Sequence, residues 1–104
     1  MRKGEIWDVV DDDDSHPYRV LIVSADEWNE GVAPQCVEIV RPHGAREIAP
    51  YMLLLNPDVD SQGGLLVMDS LSPIDPAAFV EDKGSVGGVT LSKVDSALRK
   101  VFAI

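Results

Sequence analysis

Tyr18-Arg19-Val20-Leu21-Ile22-Val23-Ser24 is an almost unbroken run of β-branched and apolar residues. A run of this kind, without helical spacing, predicts a strand buried on both faces. Upstream, Glu5-Ile6-Trp7-Asp8-Val9-Val10 mixes polar and apolar strand formers, with Trp7 expected to fill core. Between them, Asp11-Asp12-Asp13-Asp14-Ser15-His16-Pro17 collects turn formers, so the two strands read as a hairpin. Downstream, residues 26–34 read as a loop with at most one short helical turn. Residues 35–41 predict a third strand ended by Pro42, which has no N–H to give a ladder. Residues 46–48 add an edge piece and residues 51–55 a fourth strand. Asn56-Pro57-Asp58 turns the chain, and residues 65–69 form a further core strand. Pro73 and Pro76 enclose a stretch without strand character, and residues 84–88 approach a short strand over 88–91.

The last segment is a helix. Leu91, Val94, Leu98, Val101 and Phe102 recur at helical spacing as one apolar stripe, with Ser92 as N-cap and Asp95 in the first turn. Arg99 and Lys100 stand near the end, where cations suit the helix dipole. Five or six short strands and one packed helix predict a mainly β fold with a C-terminal helix, a small barrel or half-barrel with a helical plug.

The chain has 104 residues, 45% hydrophobic and 26% charged, which suits a single domain over residues 1–104. One cysteine, Cys36, supplies no internal disulfide and fits a reducing compartment. The opening residues hold no apolar signal-peptide region, and no apolar run approaches the ~20 residues of a membrane helix. The expectation is a soluble, cytoplasmic protein with no membrane partner. Eighteen carboxylates against nine basic residues give a net charge of −9, which repels polyphosphate at long range. Nucleic-acid binding therefore requires a few locally gathered cations.

The sequence holds no Ser-His-Asp spacing, no phosphate-cradling glycine loop and no CxxC or HExxH pair. The residues 11–14 lack the alternating ligands of a calcium loop and read as a solvated hairpin tip. Two histidines have basic neighbours: His16 stands three residues before Arg19, and His43 two after Arg41. A histidine that moves a proton beside an arginine that stabilises a phosphorane suits phosphoryl chemistry. Trp28, in a polar loop, is a candidate contact residue.

Several segments, taken in order, resemble the MazF/PemK/Kid family of toxin–antitoxin endoribonucleases. Met1-Arg2-Lys3-Gly4-Glu5-Ile6-Trp7 is similar to the family's first strand. Val20-Leu21-Ile22-Val23-Ser24 with Trp28-Asn29 resembles its second strand and the loop after it. Leu65-Leu66-Val67-Met68-Asp69-Ser70-Leu71-Ser72-Pro73-Ile74-Asp75 resembles a later family stretch, and Leu91-Ser92-Lys93-Val94-Asp95-Ser96-Ala97-Leu98 its final helix. The resemblance implies an SH3-like barrel of the CcdB/PemK type, assembled as a homodimer. It implies cleavage of single-stranded mRNA without metal or other cofactor, and a cognate antitoxin through whose complex the protein reaches DNA. The functional positions are altered. The family's Arg-Pro pair is here Tyr18-Arg19, one residue late, and a one-residue shift on a strand turns a side chain to the other face. Arg41-Pro42 replaces a family Thr or Ser, while Asp69 keeps an acidic position followed by Ser70. The catalytic set implied is Arg19, His16 and Asp69, with Arg41, His43, Ser70 and Trp28 binding substrate. Two alternatives are a non-catalytic binding module that retains a protein partner, and a CcdB-like gyrase inhibitor using Val101-Phe102-Ala103-Ile104.

Overall fold

Val20, Leu21 and Ile22 are all buried because the strand that carries them separates two cores. A computed structural model describes residues 1–10, 16–41 and 52–103 of the chain. The aspartates at 11–14, His43, the edge piece at 46–48, the head of the fourth strand at Tyr51 and Ile104 lie outside the described residues. Six strands are described: β1 (Glu5–Val9), β2 (Tyr18–Ile22), β3 (Gln35–Val40), β4 (Met52–Leu55), β5 (Gly64–Pro73) and β6 (Phe79–Ser85). They form one antiparallel sheet in the order β4-β5-β3-β2-β1-β6.

Side chains alternate along a strand, so each strand serves two cores. Ile6, Leu21, Val37, Leu66 and Met68 lie on one face and are fully buried with Val94 of the last helix, α3 (Gly88–Phe102). Val9, Val20, Ile22 and Cys36 form the second cluster, closed by Trp7 and Phe79 in an edge-to-face contact at 5.7 Å. Trp7 is half-buried there. Desolvation pushes the Cys36 thiol up to about 12, which makes it a small core residue and not a nucleophile.

β5 carries an irregularity. Glu38 pairs with Val67, yet Cys36 pairs with Ser72, so β5 holds extra residues between two well-paired halves. Ser70 pins this bulge: its Oγ accepts from the Glu38 N–H at 2.8 Å and donates to the Val67 carbonyl at 2.6 Å.

Three expectations are corrected, and one strand is new: β6 had no counterpart in the sequence reading, and its Glu81-Asp82-Lys83 centre is polar because it is an edge strand paired to β1 alone. Residues 88–91 are not a strand but the first turn of α3, capped at Gly87 and not at Ser92, which puts Asp95 beyond the first turn, where it pairs with Lys3 at 3.0 Å. β5 continues past Asp69 through its bulge to Pro73. Phe102 is 41% exposed, because α3 docks mainly through Val94, with Ala97, Leu98 and Val101 packed at the rim of the core. Three shorter elements remain among the described residues: α1 (Asp26–Gly31), where a loop with at most a short helical turn was expected, the one-turn α2 (Pro57–Asp60) and a 3-10 turn at Pro76–Ala78. No helix among the described residues is long and apolar enough to cross a membrane.

Candidate functional site

The main core runs out at one end of the sheet, and polar residues take over there. Ile6 pairs with Leu21, and one step farther along the same face Asp8 pairs with Arg19, itself opposite Ile39 on β3. The register therefore sets Asp8 and Arg19 side by side, and Arg19 Nε donates to Asp8 Oδ1 at 2.9 Å. Arg19 shares the face of Leu21 and lines a cleft. That cleft has a volume of about 510 Å³. Its lining includes Asp8, Tyr18, Arg19, Arg41, Gln62 and Gly64.

A second acceptor fixes the guanidinium. Arg19 Nη1 donates to Gln62 Oε1 at 2.9 Å, from the connection between α2 and β5. Gln62 in turn donates through Nε2 to the Lys83 carbonyl of β6 at 3.1 Å. Lys83 Nζ lies 3.9 Å from Asp8 Oδ2 and 3.0 Å from Glu81. Asp8 thus faces two cations, and Arg41 lines the same cleft. Against the carboxylates of Asp8 and Glu81, the three cations leave one positive charge in excess at this end of a chain whose net charge is −9. Glu38 also lines the cleft, but strand alternation places its side chain on the face of Val20 and Cys36, so it offers backbone there. Gly64 permits close approach of β5: its φ is +127, and a Cβ would meet Ile39 Cγ2 at 2.8 Å.

The sequence-derived site residues separate into groups. Arg19 and Arg41 meet at the cleft. His16 is exposed and adjoins Pro17, which lines the cleft, so it stands at the rim. Asp69 is exposed in the β5 bulge and does not line the cleft, and Ser70 is occupied in pinning that bulge. Trp28, 47% exposed on α1, donates its Nε1–H to the Ala33 carbonyl at 3.2 Å, also away from the cleft lining. His43 lies outside the described residues. Sequence reasoning passed over Asp8, Gln62 and Lys83. The Asp8–Arg19 pairing was accessible from the hairpin register alone, whereas Gln62 and Lys83 meet only through long-range folding.

No group of three or more His, Cys, Asp or Glu side chains among the described residues is placed to hold a metal ion. No protein-family model matches the sequence, and no curated protein does. Solved structures match in fold. A mycobacterial endoribonuclease in complex with its cognate antitoxin superposes with a TM-score of 0.86 at 19% identity, covering 100% of this chain and 96% of that one. Another mycobacterial endoribonuclease gives 0.84 at 19% identity, covering 100% of this chain and 92% of the other. A MazE–MazF complex from Deinococcus radiodurans gives 0.76 at 13% identity, covering 99% of this chain and 94% of the other. The antiparallel sheet with its C-terminal helix is the fold of these MazF-type toxins.

Proposed function

We propose that this chain is a toxin of a toxin–antitoxin pair, a single unit over residues 1–104 that cleaves single-stranded RNA at the Arg19 cleft. The observation that carries the reading is the pair of arginines, Arg19 and Arg41, that line one cleft, with Arg19 held by Asp8 and Gln62, on a fold shared with endoribonucleases. In the reaction, a ribose 2′-oxygen attacks the adjacent phosphorus and gives up its proton to a base. The bond from phosphorus to the 5′-oxygen breaks, and that oxygen takes a proton from an acid. The products are a 2′,3′-cyclic phosphate and a 5′-hydroxyl.

Arg19 is the cation for the phosphorane, because a guanidinium held by two acceptors keeps a fixed edge toward the anion. Arg41 binds a neighbouring phosphate. His16 moves the proton from the cleft rim, since an imidazole takes a proton and returns it. The off-cleft positions of Asp69, Ser70 and Trp28 favour no contact with the scissile group. Two of the structural neighbours are complexes with antitoxins, which supports an antitoxin partner here, and through it DNA. A homodimer in the cytoplasm completes the reading. The neighbours do not favour a binding module or a gyrase poison.

The test is direct. A panel of single-stranded RNAs is incubated with the purified protein in a chelator, and the new ends are mapped. Cyclic phosphate and 5′-hydroxyl ends support the reading. An intact panel, together with no growth defect on expression, leaves the fold without the activity.

A further inference from the structure

Ser61 is one of two described non-glycine residues with positive φ, at 64°, and the only one inside the body of the fold. Its backbone makes a tight γ-turn, with the Gln62 N–H donating to the Asp60 carbonyl at 2.7 Å. A serine in this region carries a conformational cost and persists only where its surroundings enforce it. Both sides of the turn are enforced. Asp60, 1% exposed, accepts from the Asn56 N–H and the Gly87 N–H, each at 2.9 Å. Ser61 Oγ donates to the Ser85 carbonyl at 3.0 Å and accepts from the Ser85 N–H at 3.3 Å. β6 makes room for it at Gly84, whose φ is +100 and where a Cβ would lie 2.6 Å from the Ser61 Cβ. The next residue is Gln62, whose carboxamide bridges Lys83 and Arg19.

From this chain of contacts we infer that Gln62 is a positioning residue for Arg19, delivered to the cleft by the strained Ser61 turn and its anchors on β6. The inference rests on the ribonuclease reading for its functional consequence. The physical reason is geometric. Asp8 alone holds the guanidinium at Nε and leaves it free to pivot about that bond, whereas a second acceptor on Nη1 fixes its plane. No hydrogen bond to a described residue uses Nη2, so in the proposed site it is the nitrogen left for the anion, on a guanidinium whose plane the two acceptors fix. A misplaced stabilising group costs catalysis without costing much binding.

The experiment compares wild type, Gln62→Ala and Gln62→Glu in two measurements. In single-turnover cleavage of an RNA oligonucleotide, Gln62→Ala is expected to lose about 10²-fold in rate with KM little changed. In an Arg19→Lys background the same change is expected to do little more, because an ammonium has no fork to hold between two acceptors. Additive losses, or Gln62→Ala cutting as fast as wild type, overturn the inference while leaving the ribonuclease reading intact. The second measurement does not depend on activity: exchange of the Arg19 Nε–H with water, followed by nitrogen-resolved NMR. Gln62→Ala should speed it several-fold, and Gln62→Glu, which keeps an acceptor for Nη1, should not. Equal exchange in wild type and Gln62→Ala overturns the inference even if the protein cuts no RNA.

Discussion

Asp60, at the end of α2, accepts a hydrogen bond from the backbone N–H of Gly87, 2.9 Å away at the mouth of α3. The contact ties the β4–β5 connection to the final helix and supplies from a distance the cap that α3 lacks locally. Burial alone would raise the carboxyl. The N–H groups of Asn56 and Gly87, the Thr90 hydroxyl and the charge of Lys93 more than offset this and hold it below the usual carboxylate range.

Stability should follow that carboxyl. Because the folded pKa is depressed, the contribution is complete above an unfolded value of about 3.9 and is lost as pH falls through the folded one. Asp60→Ala strands buried donors and should cost at least about 1–3 kcal/mol at neutral pH. Urea titrations at neutral and acidic pH check this. The gap between wild type and Asp60→Asn should narrow on acidification, and a gap independent of pH would deny Asp60 the role.

Arg19→Ala should separate activity from folding. Its ion pair with Asp8 is partly exposed, so the loss of stability should stay within about 1 kcal/mol. Cleavage should fall about 10²–10³-fold or more. A melting curve and a cleavage time course on one preparation suffice, and full activity in this variant would move the site away from the cleft.

Core and surface positions on the two faces of the fold should diverge. Met68 is fully buried, and Met68→Ala should cost roughly 2–5 kcal/mol. Val89, 74% exposed in the first turn of α3, should change stability by no more than about 0.5 kcal/mol on replacement by alanine. Comparable losses at both sites would mean that α3 docks by a different face.

The proposed dimer is open to a mass measurement. Light scattering at micromolar concentration should report about twice the 11.3 kDa chain mass. A monomer across the accessible concentration range would confine any RNA groove to one subunit.

Much of the sheet was legible because its strands carry their own signal. The run from Val20 to Val23 and the helical spacing of Val94 with the half-buried Leu98 declare the core face without help from the rest of the chain. β6 was not legible: Val80, Glu81 and Asp82 are all exposed, so the strand exists through pairing with β1 and not through an apolar pattern. The first turn of α3 misled for a related reason. Gly87-Gly88-Val89-Thr90 has strand-like or flexible composition, and what makes it helical is the buried Asp60, distant in sequence. At the site, Arg19 could be found from its strand, but Gln62 could not, since its position depends on the Ser61 turn and on β6 together.

The pairing of Glu5 with Ser85 joins the first strand of the chain to the last. Hairpins such as β1–β2 close early, while contacts between distant parts of a sequence close late, because a longer loop must be ordered first. Pulsed hydrogen exchange during refolding should therefore protect the β1–β2 amides before those shared by β1 and β6. On the ribosome the same order is imposed by synthesis: Asp8 and Arg19 emerge first, Gln62 later, and Lys83 and Ser85 later still. The anchors that hold Gln62 against Arg19 thus arrive last, and the half-made chain carries its arginine without the geometry that would arm it.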